Sequence, residues 1–415
     1  MDLYSYLWLT GILLLAVAIV LYSVPKLIEL ARLKKLFDND ADERKIHMGS
    51  IPNIGGAGLI LAFLVSYSLH PSSAMLAGYK YLVAAIIIIM AIGLKDDLLV
   101  IAPKKKFLGE VIIATIMIFG AGVVVNNFGG VFGLYELPYA FAIFISYAVI
   151  IVMINAINLI DGIDGLAASV TAVAALLFGA WFFMIGHYSL FVFSMILSVC
   201  YGTFLVYNWS PAKVFMGDTG SLFAGFSLAF LAIHFLNTGL YTDQIVGWQS
   251  AMPVILVAIL VIPLYDTLRV FVIRVCSRKS PFQADDNHIH HHFLLQGFSH
   301  AQSTIIIILI NLVIVAATLI MSRYVTITWL LFMVLGFALF SLPTVNIKRK
   351  ALQAVNLVSF TGDSVSGVSK VEALTKTTNT YLYDTTSKVD EEKSENKVPE
   401  EEQSLEEMAV SSSTP

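Results

Sequence analysis

Four short stretches concentrate the side chains able to do chemistry: GLKDDL at 93–98, NAINLIDGIDGLA at 155–167, FMGDTGS at 215–221 and DDNHIHHHF at 285–293. Asp96 and Asp97 are adjacent carboxylates, and such a pair repels unless a divalent cation or a raised pKa relieves it. Asn155, Asn158, Asp161 and Asp164 recur at a three-residue period, which puts the first two on one face of a helix. The glycine after each aspartate suits a turn, and it also lets backbone approach a ligand closely. Asp218 and Thr219 stand just before an apolar run, where they would cap a helix, and a helix N-terminus also binds phosphate. His288, His290, His291 and His292 are spaced too tightly for most of the imidazoles to reach one tetrahedral zinc; with Arg278 and Lys279 nearby, phosphate contact or proton handling fits better.

Each cluster also has an ordinary reading, in which the aspartate pair solvates a helix end, the asparagines satisfy each other and the Asp-Gly pairs are turns. Oxygen ligands without thiols, next to basic residues, favour a hard cation such as magnesium holding a phosphorylated substrate. The corresponding reaction class is phosphoryl transfer, in which positioning and charge neutralisation supply most of the catalysis.

The elements that must position these residues are apolar helices. At 415 residues, 58% hydrophobic and 13% charged, with a mean hydropathy of +0.81, the chain has about half the charge of a soluble domain and reads as an all-α polytopic membrane protein. Its two cysteines, Cys200 in an apolar run and Cys276 in a basic one, offer no disulfide framework or thiolate metal site. The first apolar run lacks a basic leader and a cleavage site, so it is expected to be a retained span. A span needs about 20 apolar residues. By that measure eleven are expected, near 4–23, 54–70, 79–94, 107–125, 138–157, 165–184, 188–207, 219–236, 251–273, 303–321 and 325–342.

Alternating the intervening loops puts eighteen Lys and Arg on one side and only Lys80 and Arg323 on the other, so the N-terminus is expected outside and the C-terminus in the cytoplasm. All four polar stretches, together with RKIHMGSIPNIGG at 44–56, then fall on the cytoplasmic face. A channel or transporter would place ionisable groups at mid-depth, where this chain has chiefly Glu110 and the edge residue Asp266. Residues 1–345 form the expected transmembrane catalytic domain. Residues 346–415, rich in Ser, Thr, Glu and Lys, form an expected disordered acidic tail.

These motifs, in this order, resemble the signatures of the polyprenyl-phosphate N-acetylhexosamine-1-phosphate transferases, nearest to the branch that uses undecaprenyl phosphate and N-acetylglucosamine. The resemblance runs from about residue 40 to 300. It implies transfer of a sugar 1-phosphate from a UDP-sugar to undecaprenyl phosphate, with release of UMP and a requirement for magnesium. By motif, Asp96 and Asp97 match an aspartate pair with two offered roles, metal or pyrophosphate positioning and deprotonation of the lipid phosphate. Asn158 and Asp218 match the magnesium-holding positions, and Asn155, Asp161 and Asp164 those lining the nucleotide pocket, Asp164 near the uracil. Lys45, His47 and Lys106 match phosphate contacts, while His288, His290 and His291 match the histidine loop, the last two as catalytic candidates.

The partners implied are the UDP-sugar, undecaprenyl phosphate and the bilayer, with downstream glycosyltransferases and a homodimer as further candidates and no nucleic acid. The setting implied is a bacterial inner membrane. Two residues depart from the pattern, since Asp286 stands where a basic residue is expected and Glu110 where a glutamine is. The alternatives are the related phospho-N-acetylmuramoyl-pentapeptide transferase of peptidoglycan synthesis, a cation-coupled transporter, and an inactive scaffold.

Overall fold

The computed structural model describes residues 3–34, 51–99, 101–240, 251–276 and 288–341. Lys45, His47, Arg278, Lys279, Asp285, Asp286 and the 346–415 tail lie outside the described residues. Among the described residues thirteen α-helices run α1 (Leu3–Lys34), α2 (Gly55–Leu69), α3 (Tyr79–Leu99), α4 (Pro103–Thr115), α5 (Tyr139–Ile160), α6 (Leu166–Met184), α7 (Tyr188–Asn208), α8 (Gly217–Leu240), α9 (Met252–Ile259), α10 (Val261–Cys276), α11 (Ile289–Leu295), α12 (His300–Met321) and α13 (Ile327–Ser341). Among the described residues, six helices are long and apolar enough to cross a membrane, or seven if α9 and α10 form one span bent by 78°. The other apolar stretches expected to cross are also helical. However, α2 and α13 are shorter, α4 has 13 residues, and α3 ends in Lys95, Asp96 and Asp97.

Helix α8 is the axis of the bundle. Of its apolar stretch 94% is enclosed by other helices, against 28% for α1, so α8 sits centrally and α1 at the rim. Small residues permit this enclosure. A side chain on Gly56 or Gly93 would run into the backbone of Gly220 or Thr219, and one on Gly225 would stand 2.5 Å from the Ile154 Cα. Such close backbone approach is how helices pack where lipid removes the hydrophobic drive between them.

Proline breaks are answered by side chains from neighbours. Pro25 inside α1 has no N–H for the Leu21 carbonyl, and the Tyr207 hydroxyl donates to that carbonyl at 3.1 Å. At the bend between α9 and α10, Pro263 likewise cannot bond the Ile259 carbonyl, and Asn311 Nδ2 donates to the adjacent Ala258 carbonyl at 2.9 Å.

One element departs from the all-helical expectation. Asn127–Val131 (β1) and Leu134–Glu136 (β2) pair antiparallel, with Val131 opposite Leu134. The two connecting residues, Phe132 and Gly133, both have positive φ, 52° and 77°. That is the backbone of a tight I′ hairpin turn, which usually carries Asn-Gly.

Candidate active site

The functional side chains sit where helices end. Asp96 and Asp97 close α3, Lys106 opens α4, Asn155 and Asn158 lie in the last turns of α5, Asp161 caps it, and Asp218 lies in the first turn of α8. These ends surround a cavity of about 470 Å³ walled by Asn53, Asp96, Asp97, Asn158, Asp161, Gly162, Ile163, Asp164, Phe215, Gly217, Asp218 and His300.

Lys106 pairs with two aspartates of this wall. Its ammonium lies 2.5 Å from Asp218 Oδ2 and 3.1 Å from Asp96 Oδ2. Asp218 Oδ1 accepts from Asn158 Nδ2 at 2.6 Å, and that amide also donates to Ser221 Oγ at 2.8 Å. Asp96 in turn accepts from the Ile101 N–H through Oδ1 at 2.6 Å. Two like-charged carboxylates thus share one lysine, an arrangement that favours added positive charge.

Asp97 does different work from its neighbour. Its Oδ1 accepts from the Asp218 N–H at 2.6 Å, while Oδ2 accepts from the Thr219 N–H at 3.1 Å and the Thr219 hydroxyl at 2.5 Å. The first N–H groups of a helix have no partner within it. Asp97 supplies that partner from another helix, fixing the start of α8 and hence Asp218. Asp97→Asn would turn an amide NH2 toward one of these donors, and is expected to cost about 1–3 kcal/mol of stability. Thermal unfolding in detergent checks it: a midpoint unchanged from the parent would refute the capping role.

Beyond α5 the chain turns through Asp161–Gly165, and Gly165 takes a left-handed φ of 74° at the start of α6. Asp164 is held on both sides, Oδ2 accepting from the Ala212 N–H at 3.2 Å and Oδ1 lying 3.4 Å from His300 Nδ1. Ser299 and Gln302 form a capping box that fixes the start of α12, and with it His300.

The Asp161 carboxyl is pushed up to about 7, first by burial and then by the charges of Asp218 and Asp97. A carboxyl whose folded pKa exceeds its unfolded value binds more protons when folded, so it costs stability as pH rises toward 7. Asp161→Asn is therefore expected to gain thermal midpoint relative to the parent between pH 5 and pH 8. A difference independent of pH would contradict the shift.

Not every expected residue reaches the cavity. Asn155 donates to Glu110 Oε2 at 2.6 Å and to the Ile151 carbonyl at 2.9 Å, behind the wall rather than on it. His288 and His290 are buried as well, at 6% and 2% exposure. Burial, then the neighbouring His291, pushes His290 down to about 3, so it is a neutral imidazole at physiological pH. It packs against Gly162, where any Cβ would collide with its ring. Conversely, Asn53, Ser221 and His300 belong to the site without having been singled out. Asn53 and Ser221 stood inside quoted stretches, whereas His300 carried no local signal at all.

A helical membrane framework with an acidic cavity at its helix ends defines the class, and comparison with known proteins specifies it. The family described as Glycosyl transferase family 4 matches residues 79–236. Over 305 residues the chain is 30% identical to a probable undecaprenyl-phosphate N-acetylglucosaminyl 1-phosphate transferase of Bacillus subtilis (strain 168), covering 70% of this chain and 80% of the relative. It is 32% identical over 295 residues to the undecaprenyl-phosphate alpha-N-acetylglucosaminyl 1-phosphate transferase of Haemophilus influenzae, with coverage of 70% and 80%. A decaprenyl-phosphate N-acetylglucosaminephosphotransferase of Mycobacterium tuberculosis is 31% identical over 291 residues, with coverage of 64% and 71%. The chain belongs to the polyprenyl-phosphate N-acetylhexosamine-1-phosphate transferase family.

Proposed function

We propose that this protein transfers N-acetylglucosamine 1-phosphate from its UDP-sugar to undecaprenyl phosphate, releasing UMP, at the cytoplasmic face of a bacterial inner membrane. The observation that carries this reading is the acidic cavity in which Asp96 and Asp218 share Lys106 at the ends of apolar helices. Such a place admits a lipid from the bilayer and a nucleotide from water. The names of the B. subtilis and H. influenzae relatives support the substrates. The proposed topology has eleven spans, an external N-terminus and a cytoplasmic C-terminus, supported by the one-sided distribution of Lys and Arg.

In the proposed reaction an oxygen of the lipid phosphate forms a bond to the β-phosphorus of the UDP-sugar. The bond from that phosphorus to the bridging oxygen breaks, and its electron pair leaves on UMP. Asp97 is committed to the start of α8, whereas Asp96 shares Lys106 with Asp218, which supports Asp96 as the member of the pair that would meet the lipid phosphate. Lys106 meets phosphate oxygens, and Asp164 and Asp161 hold the nucleotide side of the cavity. The donor set would suit magnesium, because apart from His300 the polar side chains lining the cavity are aspartates and asparagines, oxygen donors of the kind a hard cation takes. Asp218 and the Asn158 carbonyl would hold the ion, which when bound neutralises charge that otherwise keeps two anionic substrates apart.

Incubating purified protein with undecaprenyl phosphate and UDP-N-acetylglucosamine labelled in the sugar tests the reading. Label is expected in a lipid-extractable diphosphate. Label that stays wholly in water with this and every other UDP-sugar would sink it.

A further inference from the structure

Asp266 takes no part in the cavity, yet it is among the most deeply enclosed carboxylates described, at 1% exposure on α10. A buried carboxylate in an apolar setting persists only when its oxygens are bonded. Here Oδ2 meets His288 Nδ1 at 2.8 Å and Oδ1 accepts from the Ile289 N–H at 2.8 Å, so both atoms grip the start of α11. Because a carboxylate only accepts, this bond places the His288 proton on Nδ1. One turn further along α10, Arg269 Nη2 donates to His292 Nε2 at 2.5 Å, holding the same short helix a second time.

From α11 the contact continues toward the cavity. The His288 ring stacks on His290 with centroids 5.6 Å apart and planes within 2°. His290 Nε2 abuts Gly162, which lines the cavity together with Asp161, Ile163 and Asp164. The Asp266 side chain and the acidic turn are therefore linked through two imidazoles in series.

We propose that Asp266 is a positioning residue for the donor side of the site, acting through His288 and His290 on the turn that carries Asp161 and Asp164. The inference rests on the UDP-sugar reading, in which that turn holds the nucleotide. The histidine helix is then a strut as well as a set of polar groups, and the glycine at 162 is the seat that receives it.

The test is Asp266→Asn in the full-length protein, with rates measured against UDP-N-acetylglucosamine and undecaprenyl phosphate separately. The KM for the UDP-sugar is expected to rise about tenfold, while kcat and the KM for the lipid stay within about twofold. In a His290→Ala background, where the strut is already cut, the same substitution is expected to add no further rise. A loss confined to kcat, as from a smaller active fraction, would overturn the proposal, and so would an equal rise in both backgrounds. A second readout needs no turnover: modification by diethyl pyrocarbonate, located by mass spectrometry, is expected to reach His288 in Asp266→Asn but not in the parent. Unchanged protection of His288 counts against the proposal even if the parent releases no UMP, an outcome that would defeat only the UDP-sugar reading.

Discussion

Asp218→Asn is expected to lower UMP release by about 10³-fold, the scale seen when a group that organises transition-state charge is removed. Asp218 is where the wall's contacts meet, since Lys106 binds one of its oxygens and Asn158 donates to the other. An amide of the same size keeps one acceptor, loses the charge, and presents a donor to groups that already donate. Its effect on folding is expected to be small, because its side chain is 29% exposed and the backbone N–H at 218 stays bonded to Asp97. Initial rates set beside thermal unfolding separate the two effects. Activity within threefold of the parent would show that Asp218 is not central.

The second large effect is expected from Gly217→Ala. Gly217 has φ of 65°, a conformation that costs an ordinary residue about 1–2 kcal/mol. More damaging is the space, because a Cβ there would collide with the Asn53 carbonyl and stand 2.5 Å and 2.7 Å from the two Asp97 oxygens. The carboxylate that caps α8 would have to move, carrying Asp218 with it. We expect activity to fall by about 10²-fold, as for other small displacements of a reacting geometry, together with a lower thermal midpoint. Gly186→Ala is the control, with φ of 73° and nothing within 4 Å of its Cβ. It should show the conformational cost alone and keep its activity. Equal loss in both variants would mean that backbone strain, rather than the crowding of Asp97, is responsible.

The length of the apolar runs made the helices legible, since a run that must hide its backbone from lipid has few other choices. The convergence of the polar ends was legible too, from motif order and the placement of Lys and Arg. Tertiary partners were less so. Asp97 and Asp96 are indistinguishable as neighbours in sequence, yet one caps α8 from across the bundle and the other meets Lys106. Asn155 and Asn158 share a helix face, but Glu110 draws the first away from the cavity. The departure noted at Glu110 therefore has a structural correlate, a buried bond to Asn155 that a glutamine could also make. His288 and His290 are buried, the second against the acidic turn at Gly162, because Asp266 on α10 holds His288 and His288 stacks on His290. The hairpin at 127–136 is not legible in the sequence, since Phe-Gly is an uncommon signal for its turn.

The central claim is chemical, and the most direct measurement is UMP release by the purified protein given undecaprenyl phosphate and, in turn, UDP-N-acetylglucosamine, UDP-N-acetylgalactosamine and UDP-N-acetylmuramoyl-pentapeptide, with magnesium or with a chelator. The account predicts release with UDP-N-acetylglucosamine, dependent on both the lipid and magnesium. Release only with the pentapeptide donor, or UMP formed equally well without the lipid, would contradict it.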